Sequence, residues 1–265
     1  MPEPAPLPAD EPAIEGVVVP VRLSPTPDHA FLRGLAETVN HHLRTALTPV
    51  LGHAELLMEH QHQIPAEMHQ SLVAVARAGR RLSDVVLGIC ELMRIACVDP
   101  SVVETIDVSA LLADELATLR VRAAAKHVRI VVGGDPVWAH GVDAAHVGRA
   151  LHELLDNALT FAPQRSTVRV TTTAAAELIR ITVSDDGDGI DPADHERLVR
   201  PFERGCNPRQ SITGTGMGLA LASAAAAAHG GRLVLSESSS GGLEVRLELP
   251  AGVGRPVGAA ASPRA

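Results

Sequence analysis

The chain has 265 residues, of which 46% are hydrophobic and only 2% aromatic, and its formal net charge is −8. This apolar content can fill real cores, so it excludes a wholly disordered chain. The negative balance argues against a general affinity for nucleic acid or anionic lipid, because both are bound through clustered Lys and Arg.

The chain begins with a proline-rich segment and continues with a helical hairpin. Eight prolines in residues 1–27 predict extended, disordered chain. From residue 28 two apolar series are spaced by threes and fours, which is typical of helices. The first is Leu32, Leu35, Val39, Leu43, Ala46, Val50, Ala54 and Leu57, and the second is Leu72, Val75, Gly79, Leu82, Val86, Ile89, Met93 and Ala96. Because only a short segment with Pro65 separates them, residues 28–98 predict an antiparallel hairpin.

Two helices bury little apolar surface by themselves. Stripes that run the full helix lengths therefore predict a homodimer, in which two hairpins form a four-helix bundle. The alternative is a monomeric hairpin that packs on the domain that follows.

Asp99-Pro100 ends the second helix and predicts a linker over residues 99–105. Residues 106–250 then mix helical and strand patterns, which predicts an α/β sandwich domain with one mixed sheet and helices on one face. The predicted helices are 108–126, 142–161 and 217–229, and the predicted strands are 128–132, 168–173, 178–184, 232–236 and 243–249. The aperiodic stretch 186–215 predicts a functional loop, and residues 251–265 a disordered tail.

The cysteines and the hydropathy indicate a cellular compartment. Cys90, Cys97 and Cys206 are odd in number and lack metal-ligand spacing, which favours free thiols in a reducing cytosol. No apolar run reaches the roughly 20 residues that cross a bilayer. We therefore expect a cytoplasmic protein without membrane insertion.

A histidine in the first helix is a candidate nucleophile. With about 100° of turn per residue, His41 lies about 170° from the centre of the apolar stripe and is expected to face solvent. An imidazole with one unprotonated nitrogen is a competent nucleophile at neutral pH. Thr45 follows one turn later and can place a hydroxyl beside the ring.

Two further groups suit a nucleotide and its metal ion. Glu153 and Asn157 are four residues apart on a predicted helix, so they share a face as two Mg²⁺ ligands would. Asp185 ends a strand, where its carboxylate suits the amino group of adenine, which only donates. Gly187 and Gly189 follow, where a ring could lie against bare backbone. A calcium loop is a poorer interpretation, because the closing Glu of an EF-hand is missing at the required distance.

A glycine-rich turn precedes the last predicted helix. Gly214, Gly216 and Gly218 lead into its N-terminus, which is an anion site suited to phosphates. No Gly-Lys-Ser/Thr follows, which excludes a P-loop, and the glycine spacing makes a Rossmann site a poor match.

In combination these motifs resemble bacterial two-component sensor histidine kinases. Residues 31–57, with Asn-His-His-Leu-Arg-Thr-Ala-Leu-Thr at their centre, are similar to the phosphoacceptor helix of that family. The N, G1, F and G2 boxes of its Bergerat-type ATP-binding domain are matched in order. They correspond to residues 151–158, 183–190, 200–204 and 214–221.

For the first helix, the resemblance implies that His41 accepts phosphate and that Thr45 helps to orient water in the reverse, phosphatase reaction. His42 stands where the family has an acidic base, and a neutral imidazole could serve as the base instead. Ala46 replaces the helix-kinking proline of the family, and Pro49 shifts the kink along the helix.

For the ATP-binding domain, the resemblance implies ATP and Mg²⁺ as cofactors. Asn157 would hold Mg²⁺ and Asp185 adenine. Glu153 falls where many members have Asn, so both a metal role and a hydrolytic role stay open, and Thr160 replaces a lysine that would contact phosphate. The glycines implied around the ring are Gly187 and Gly189, and those implied at the lid and phosphates are Gly214, Gly216 and Gly218.

We therefore expect a soluble, dimeric kinase that phosphorylates its own histidine and passes the phosphoryl group to an aspartate in the receiver domain of a response regulator. The stimulus is expected to arrive through an upstream sensor protein or the N-terminal segment. The alternative is a degenerate phosphotransfer or ATP-binding scaffold with weak autokinase activity, which His42 and Thr160 favour. An anti-sigma serine kinase would share the ATP domain but would not need the hairpin.

Overall fold

The computed structural model describes residues 29–59, 65–97, 103–175, 177–205 and 214–251. The predicted disordered ends, residues 1–27 and all but the first residue of 251–265, lie outside the described residues, as do Cys206 and most of the predicted linker. Within them, a helical hairpin precedes an α/β sandwich, which confirms the predicted fold class.

The hairpin consists of two helices of equal length, α1 (His29–Glu59) and α2 (Ala66–Ala96). Small residues let the helices approach closely: a Cβ added at Gly79 would lie only 2.9 Å from Leu51 Cδ2. An Arg80–Glu55 ion pair of 3.3 Å links the helices at the surface, where both side chains are half exposed. Such pairs contribute little to stability, so side-chain packing is the main force within the hairpin.

The apolar stripes of the hairpin are only partly covered within one chain. On α1, Leu35, Val50 and Leu57 remain 40%, 46% and 46% exposed. On α2, exposed apolar residues recur every seven positions and are 40% to 59% exposed: Met68, Val75, Leu82 and Ile89. The following domain does not cover these residues, so the hairpin presents an apolar surface, which we call the heptad stripe.

A five-stranded mixed sheet forms the centre of the α/β domain. Its strands are β2 (Arg129–Gly134), β4 (Thr167–Ala174), β5 (Leu178–Ser184), β6 (Arg232–Glu237) and β7 (Leu243–Pro250). The strand order is β2-β4-β5-β7-β6, with β2 parallel to β4 and all other pairs antiparallel. The helices are α3 (Val108–Lys126), α4 (Ala144–Phe161), α5 (His195–Leu198) and α6 (Gly218–Ala228).

The prediction of a single sheet was wrong. A second, two-stranded sheet pairs β1 (Glu104–Asp107) with β3 (Trp138–Val142), so β1 begins within the predicted linker, and β3 ends at Val142, where a helix was predicted to start. The helix begins only after Asp143, whose carboxylate accepts hydrogen bonds from the Ala145 and His146 amides. Strands of four and five residues with a bulge are too short for a clear alternating pattern, and only their pairing stabilises them.

One face of the large sheet carries the core. Along β5, Ile179, Ile181 and Val183 are buried on the side of α4, while Arg180 and Thr182 between them lie on the open face. This alternation follows from the two-residue period of a strand. The largest fully buried side chains of α4 and α6 include Leu151, Leu155, Leu159 and Leu221.

The only lysine of the chain caps a helix end. Lys126 Nζ donates to the carbonyl oxygens of Leu159 (2.8 Å) and Thr160 (2.7 Å) at the C-terminus of α4. These carbonyls have no partner within the helix, and a cation at this end also interacts favourably with the helix dipole.

We predict that Lys126→Met lowers the free energy of unfolding by about 1–2 kcal/mol, because two carbonyls lose a charged donor. Urea denaturation followed by circular dichroism measures this change. Arg120→Met, at an exposed position of the same helix, is the control and should change stability by less than about 0.5 kcal/mol. Equal stability of the two variants would show that the lysine cap contributes nothing.

Candidate functional site

A buried carboxylate lies at the end of β5. Asp185 is only 5% exposed, and its Oδ1 accepts hydrogen bonds from the Gly187 (2.8 Å) and Leu243 (3.4 Å) amides. Burial raises the pKa of Asp185, and these two hydrogen bonds partly offset that effect. Because both bonds end on Oδ1, Oδ2 is the candidate acceptor for a donor from a ligand.

Backbone approaches this carboxylate closely from two loops. A Cβ at Gly187 would lie 2.7 Å from Asp185 Oδ1, and a Cβ at Gly242 would lie 2.1 Å from the Asp185 carbonyl oxygen. Gly189 has a φ of +67°, and its Cβ would lie 2.7 Å from the Gly241 carbonyl oxygen. Side chains are therefore excluded at these positions, and the glycines form a bare wall beside Asp185.

The turn between β6 and β7 was missed by the sequence analysis. Ser238 Oγ donates to the Asp185 carbonyl oxygen (2.9 Å) and accepts from the Gly242 amide (2.9 Å). The signal for this turn was the run Ser-Ser-Ser-Gly-Gly between two alternating strands, which is typical of a turn. Its contact with Asp185 depends on the β5–β7 pairing and could not be read from the run itself.

The neighbouring acid has a structural role. Asp186 accepts from the Thr167 amide (2.9 Å), from Arg169 (3.0 Å) and from Ser240 Oγ (2.7 Å). The Ser240 hydrogen bond, with the bonds from Thr167 and Arg169, lowers the pKa of Asp186. Asp186 thus joins β4 to the β6–β7 turn, and Asp185 is the better candidate ligand.

The α4 pair and the glycine turn meet at the N-terminus of α6. A Cβ at Gly218 would lie 2.6 Å from Glu153 Oε2 and 3.5 Å from Asn157 Nδ2. Arg149 makes an ion pair of 2.5 Å with Glu153. No side chain caps the first turn of α6, and this helix end lies beside the Glu153 carboxylate and the Asn157 side-chain amide. Carboxylate and amide oxygens are ligands that suit a hard divalent cation, and the helix N-terminus fits phosphate.

The two ends of the loop before α6 are held together. The Phe202 amide donates to the Gly216 carbonyl oxygen (3.0 Å), and both residues have positive φ, of 67° and 75°. A Cβ at Gly216 would lie 2.6 Å from the Glu203 carbonyl oxygen. Arg197 stabilises the first end of this loop, because its guanidinium donates to Asp194 and Glu203. Gly214 also has a positive φ, of 101°, and begins the next described stretch.

The candidate nucleophile lies on the hairpin. His41 and His42 are both exposed on α1, with ring centroids 5.8 Å apart. Thr45 Oγ donates to the His41 carbonyl oxygen (2.8 Å), so its hydroxyl is bonded to the helix backbone and not to the imidazole. The hairpin contacts the α/β domain through α2 and α6.

In the structure, the predicted site residues fall into three groups. Asp185, Gly187 and Gly189 lie together, as do Glu153, Asn157 and Gly218. His41, His42 and Thr45 lie on α1. Within the described residues, no group of three or more His, Cys, Asp or Glu side chains could hold a metal ion by itself.

Two family models match separate parts of the chain. Residues 31–97 match the His Kinase A (phospho-acceptor) domain. Residues 142–253 match the histidine kinase-, DNA gyrase B- and HSP90-like ATPase. The two matches coincide with the hairpin and with most of the α/β domain.

Individual relatives match across both parts. The sensor histidine kinase TrcS of Mycobacterium tuberculosis is 28% identical over 83% of this chain and 44% of TrcS. The histidine-protein kinase/phosphatase MprB of Mycolicibacterium vanbaalenii is 32% identical over 80% of this chain and 46% of MprB. Full-length ShkA in complex with AMPPNP has a TM-score of 0.62 at 25% identity, over 85% of this chain and 47% of ShkA. The chain spans less than half the length of these three relatives.

In the described part of the chain, no helix combines the length and the apolar character that a membrane span needs.

We predict that Asp185→Asn weakens ATP binding by about one or two decades, a loss of about 1–3 kcal/mol, because the amide can present a donor where the adenine amino group also donates. Isothermal titration calorimetry measures the affinity. Asp186→Asn is the control, since this neighbouring acid bonds within the protein, and it should bind ATP as the parent does. Equal affinity in Asp185→Asn, or GTP binding to the parent as tightly as ATP, would contradict the adenine assignment.

Proposed function

Because the chain belongs to the histidine kinase family, with a phosphoacceptor hairpin followed by an ATPase domain, we propose that it is an ATP-dependent protein-histidine kinase. It phosphorylates His41 from Mg-ATP and transfers the phosphoryl group to an aspartate of a response-regulator receiver domain. The observation that carries the proposal is the presence in one chain of an exposed histidine on the hairpin and the Asp185 and Gly218 sites on the ATPase domain.

The nucleotide end of the reaction is assigned to the α/β domain. Bound ATP supplies an electrophilic γ-phosphorus. Asp185 accepts from the adenine amino group, and Gly187 and Gly189 leave room for the ring. The α6 N-terminus, with Gly214, Gly216 and Gly218, binds phosphate oxygens through backbone amides. Asn157 and Glu153 supply oxygen ligands to Mg²⁺.

Glu153 has two possible roles within this proposal. As a metal ligand, Glu153 would leave its ion pair with Arg149 and bind Mg²⁺ instead. As a general base it would activate water and give a hydrolytic side reaction. The contact between Glu153 Oε2 and the position of Gly218 supports a place beside the phosphates in both cases.

The acceptor end is assigned to α1. His41 presents an unprotonated ring nitrogen, which forms the new N–P bond as the bond to the ADP oxygen breaks. The ring then loses its remaining proton, and His42 is the neighbouring base that takes it. The adjacent rings, 5.8 Å apart, support this assignment. Thr45 is assigned to the reverse, phosphatase reaction, which requires its hydroxyl to leave the helix backbone.

A scaffold with weak autokinase activity is the second candidate, because His42 and Thr160 replace the usual family residues. One contact favours the active kinase instead. Arg122 Nη2 donates to Thr160 Oγ (2.5 Å), and Arg122 also makes an ion pair with Asp156. A guanidinium therefore lies beside residue 160, one turn from Asn157, and supplies positive charge near the position of the missing lysine.

A second copy of the chain is the proposed partner of the heptad stripe. Exposed apolar residues at a spacing of seven are the pattern by which helices pair, and two hairpins joined through it form a four-helix bundle. The receiver domain, and an upstream sensor protein as the source of the signal, are the other proposed partners. Because ATP and receiver domains are cytoplasmic, we propose that the reaction takes place in the cytoplasm.

His41→Gln is predicted to abolish the phosphoryl label from γ-labelled ATP, because glutamine has no nucleophilic nitrogen. The label on the parent should be labile to acid and stable to alkali, as expected of phosphohistidine. His42→Gln is the matched control and should retain a label, formed about 10²-fold more slowly if His42 is the base. A label that persists in His41→Gln and disappears in His42→Gln would move the acceptor by one residue.

Val75→Glu with Leu82→Glu should raise the dimer dissociation constant by about 10²-fold or more, because each subunit would bury two unpaired carboxylates. Analytical ultracentrifugation measures the constant. Arg77→Glu, at an exposed position on another face of α2, is the control and should leave the dimer intact. A parent that sediments as a monomer at all concentrations would refute the bundle.

A further inference from the structure

The hairpin and the α/β domain meet along the C-terminal half of α2. Met217, just before α6, packs directly on Gly88: a Cβ added at Gly88 would lie 2.9 Å from Met217 Cε. Further along α2, Ile95 is 1% exposed and belongs to the same apolar cluster as the core of the α/β domain, and Leu92 packs against that cluster. We call this contact of Gly88, Leu92 and Ile95 with the α/β domain the docking interface.

Two buried histidines lie beside the docking interface. His146, in the first turn of α4, is 4% exposed, and His229, at the end of α6, is 6% exposed. Their ring centroids are 5.7 Å apart. Among the described residues, neither His146 Nδ1 nor His229 Nε2 has a hydrogen-bond partner. Buried polar atoms are usually paired, so an imidazole pair of this kind calls for a physical explanation.

The titratable groups around His146 come from three helices. Asp143, which caps α4, has its Oδ2 3.8 Å from His146 Nδ1, beyond hydrogen-bonding distance. From α2, Glu91 and Arg94 act on His146 with opposite signs, and these two side chains are themselves paired at 3.3 Å. From α6 comes His229. Asp143 and Glu91 favour a protonated His146, whereas Arg94 opposes it.

Burial outweighs these charges. It is the main cause that lowers the pKa of both His146 and His229, and the proximity of His146 lowers the pKa of His229 further. Both rings are therefore neutral at neutral pH. Two imidazolium ions at this separation would repel each other and would lose their hydration in the buried space.

We propose that His146 and His229 form a proton-operated latch, which holds the α/β domain on α2 while both rings are neutral and releases it when they take up protons. Because Glu91 and Arg94 of α2 act on His146 through space, α2 lies near the pair, and in this proposal its departure admits water to the two rings. This inference rests on the docking interface and not on the proposed kinase activity.

The sign of the pH dependence follows from proton linkage. A histidine with a lowered pKa in the docked state binds protons more tightly once released. Docking is therefore at full strength above the ordinary imidazole pKa of about 6.5 and weakens as the pH falls below it. Because α6 carries the candidate phosphate site at its N-terminus, release would free that site to move relative to His41.

Hydrogen exchange of the full chain, followed by mass spectrometry, tests the latch. Protection factors corrected for the intrinsic exchange rate are compared at about pH 7.5 and 5.5. For the peptides of residues 84–97, we expect protection to fall about tenfold or more at the lower pH. The β5 and β7 peptides should stay protected. Equal loss in β5 and β7 would mean global acid unfolding and would overturn the proposal, as would unchanged protection of α2.

Variants assign the effect to the pair. The double variant His146→Gln/His229→Gln cannot take up protons, so its α2 protection should change by less than about twofold over this pH range. His53→Gln, at an exposed histidine of α1, is the control and should behave as the parent does. A double variant that loses protection as the parent does would overturn the latch.

A third variant leaves the interior of the α/β domain intact, in case the double variant does not fold. Glu91 favours the protonated ring in the docked state, so Glu91→Gln widens the gap between the docked and released pKa of His146. Its α2 protection should fall by more than that of the parent on acidification. A loss equal to or smaller than that of the parent would contradict the proposal.

Discussion

The candidate nucleotide site depends on the burial of one carboxylate at the end of a strand. Asp185 is buried at the end of β5, and it stays hydrogen-bonded because the backbone amides of Gly187 and of Leu243, at the start of β7, reach it. A buried carboxylate without such donors would be costly. The same burial leaves no room for side chains at Gly187 and Gly242, so the glycines are a packing requirement of the acid as much as a feature of the ligand site.

A second constraint is the close approach of α6 to α4. Gly218 lies where any side chain would meet Glu153, and this brings the uncapped end of a helix to a carboxylate and an amide. Helix N-termini attract anions, whereas a carboxylate beside them attracts cations. The two preferences are compatible when a metal ion and phosphate bind together, which agrees with the proposed Mg-ATP site.

The hairpin and the α/β domain differ in how far they bury their apolar residues within one chain. The α/β domain forms a large buried apolar core within one chain, between the large sheet and helices α3, α4 and α6. The hairpin does not, since its heptad stripe remains exposed and only the end of α2 is covered, by the α/β domain. The exposed stripe and the docked end lie on the same helix, so a second copy bound at the stripe, as proposed, would share α2 with the α/β domain.

Local patterns in the sequence determined most of the elements and the residue types of the site. The period of α3 and the alternation of β5 were readable because each is long and buried on one face, and the predicted bounds of both agree with the structure. Glu153 and Asn157 were placed on one helical face by their spacing alone. Tertiary structure decided the contacts that the spacing of residues in the sequence does not encode. These are the β1–β3 pairing, the contact of Ser238 with Asp185, the approach of Gly218 to Glu153, and the contact of His146 with His229. Each of these joins segments distant in the chain, and such contacts form only when packing of the core brings the segments together, so no local pattern records them.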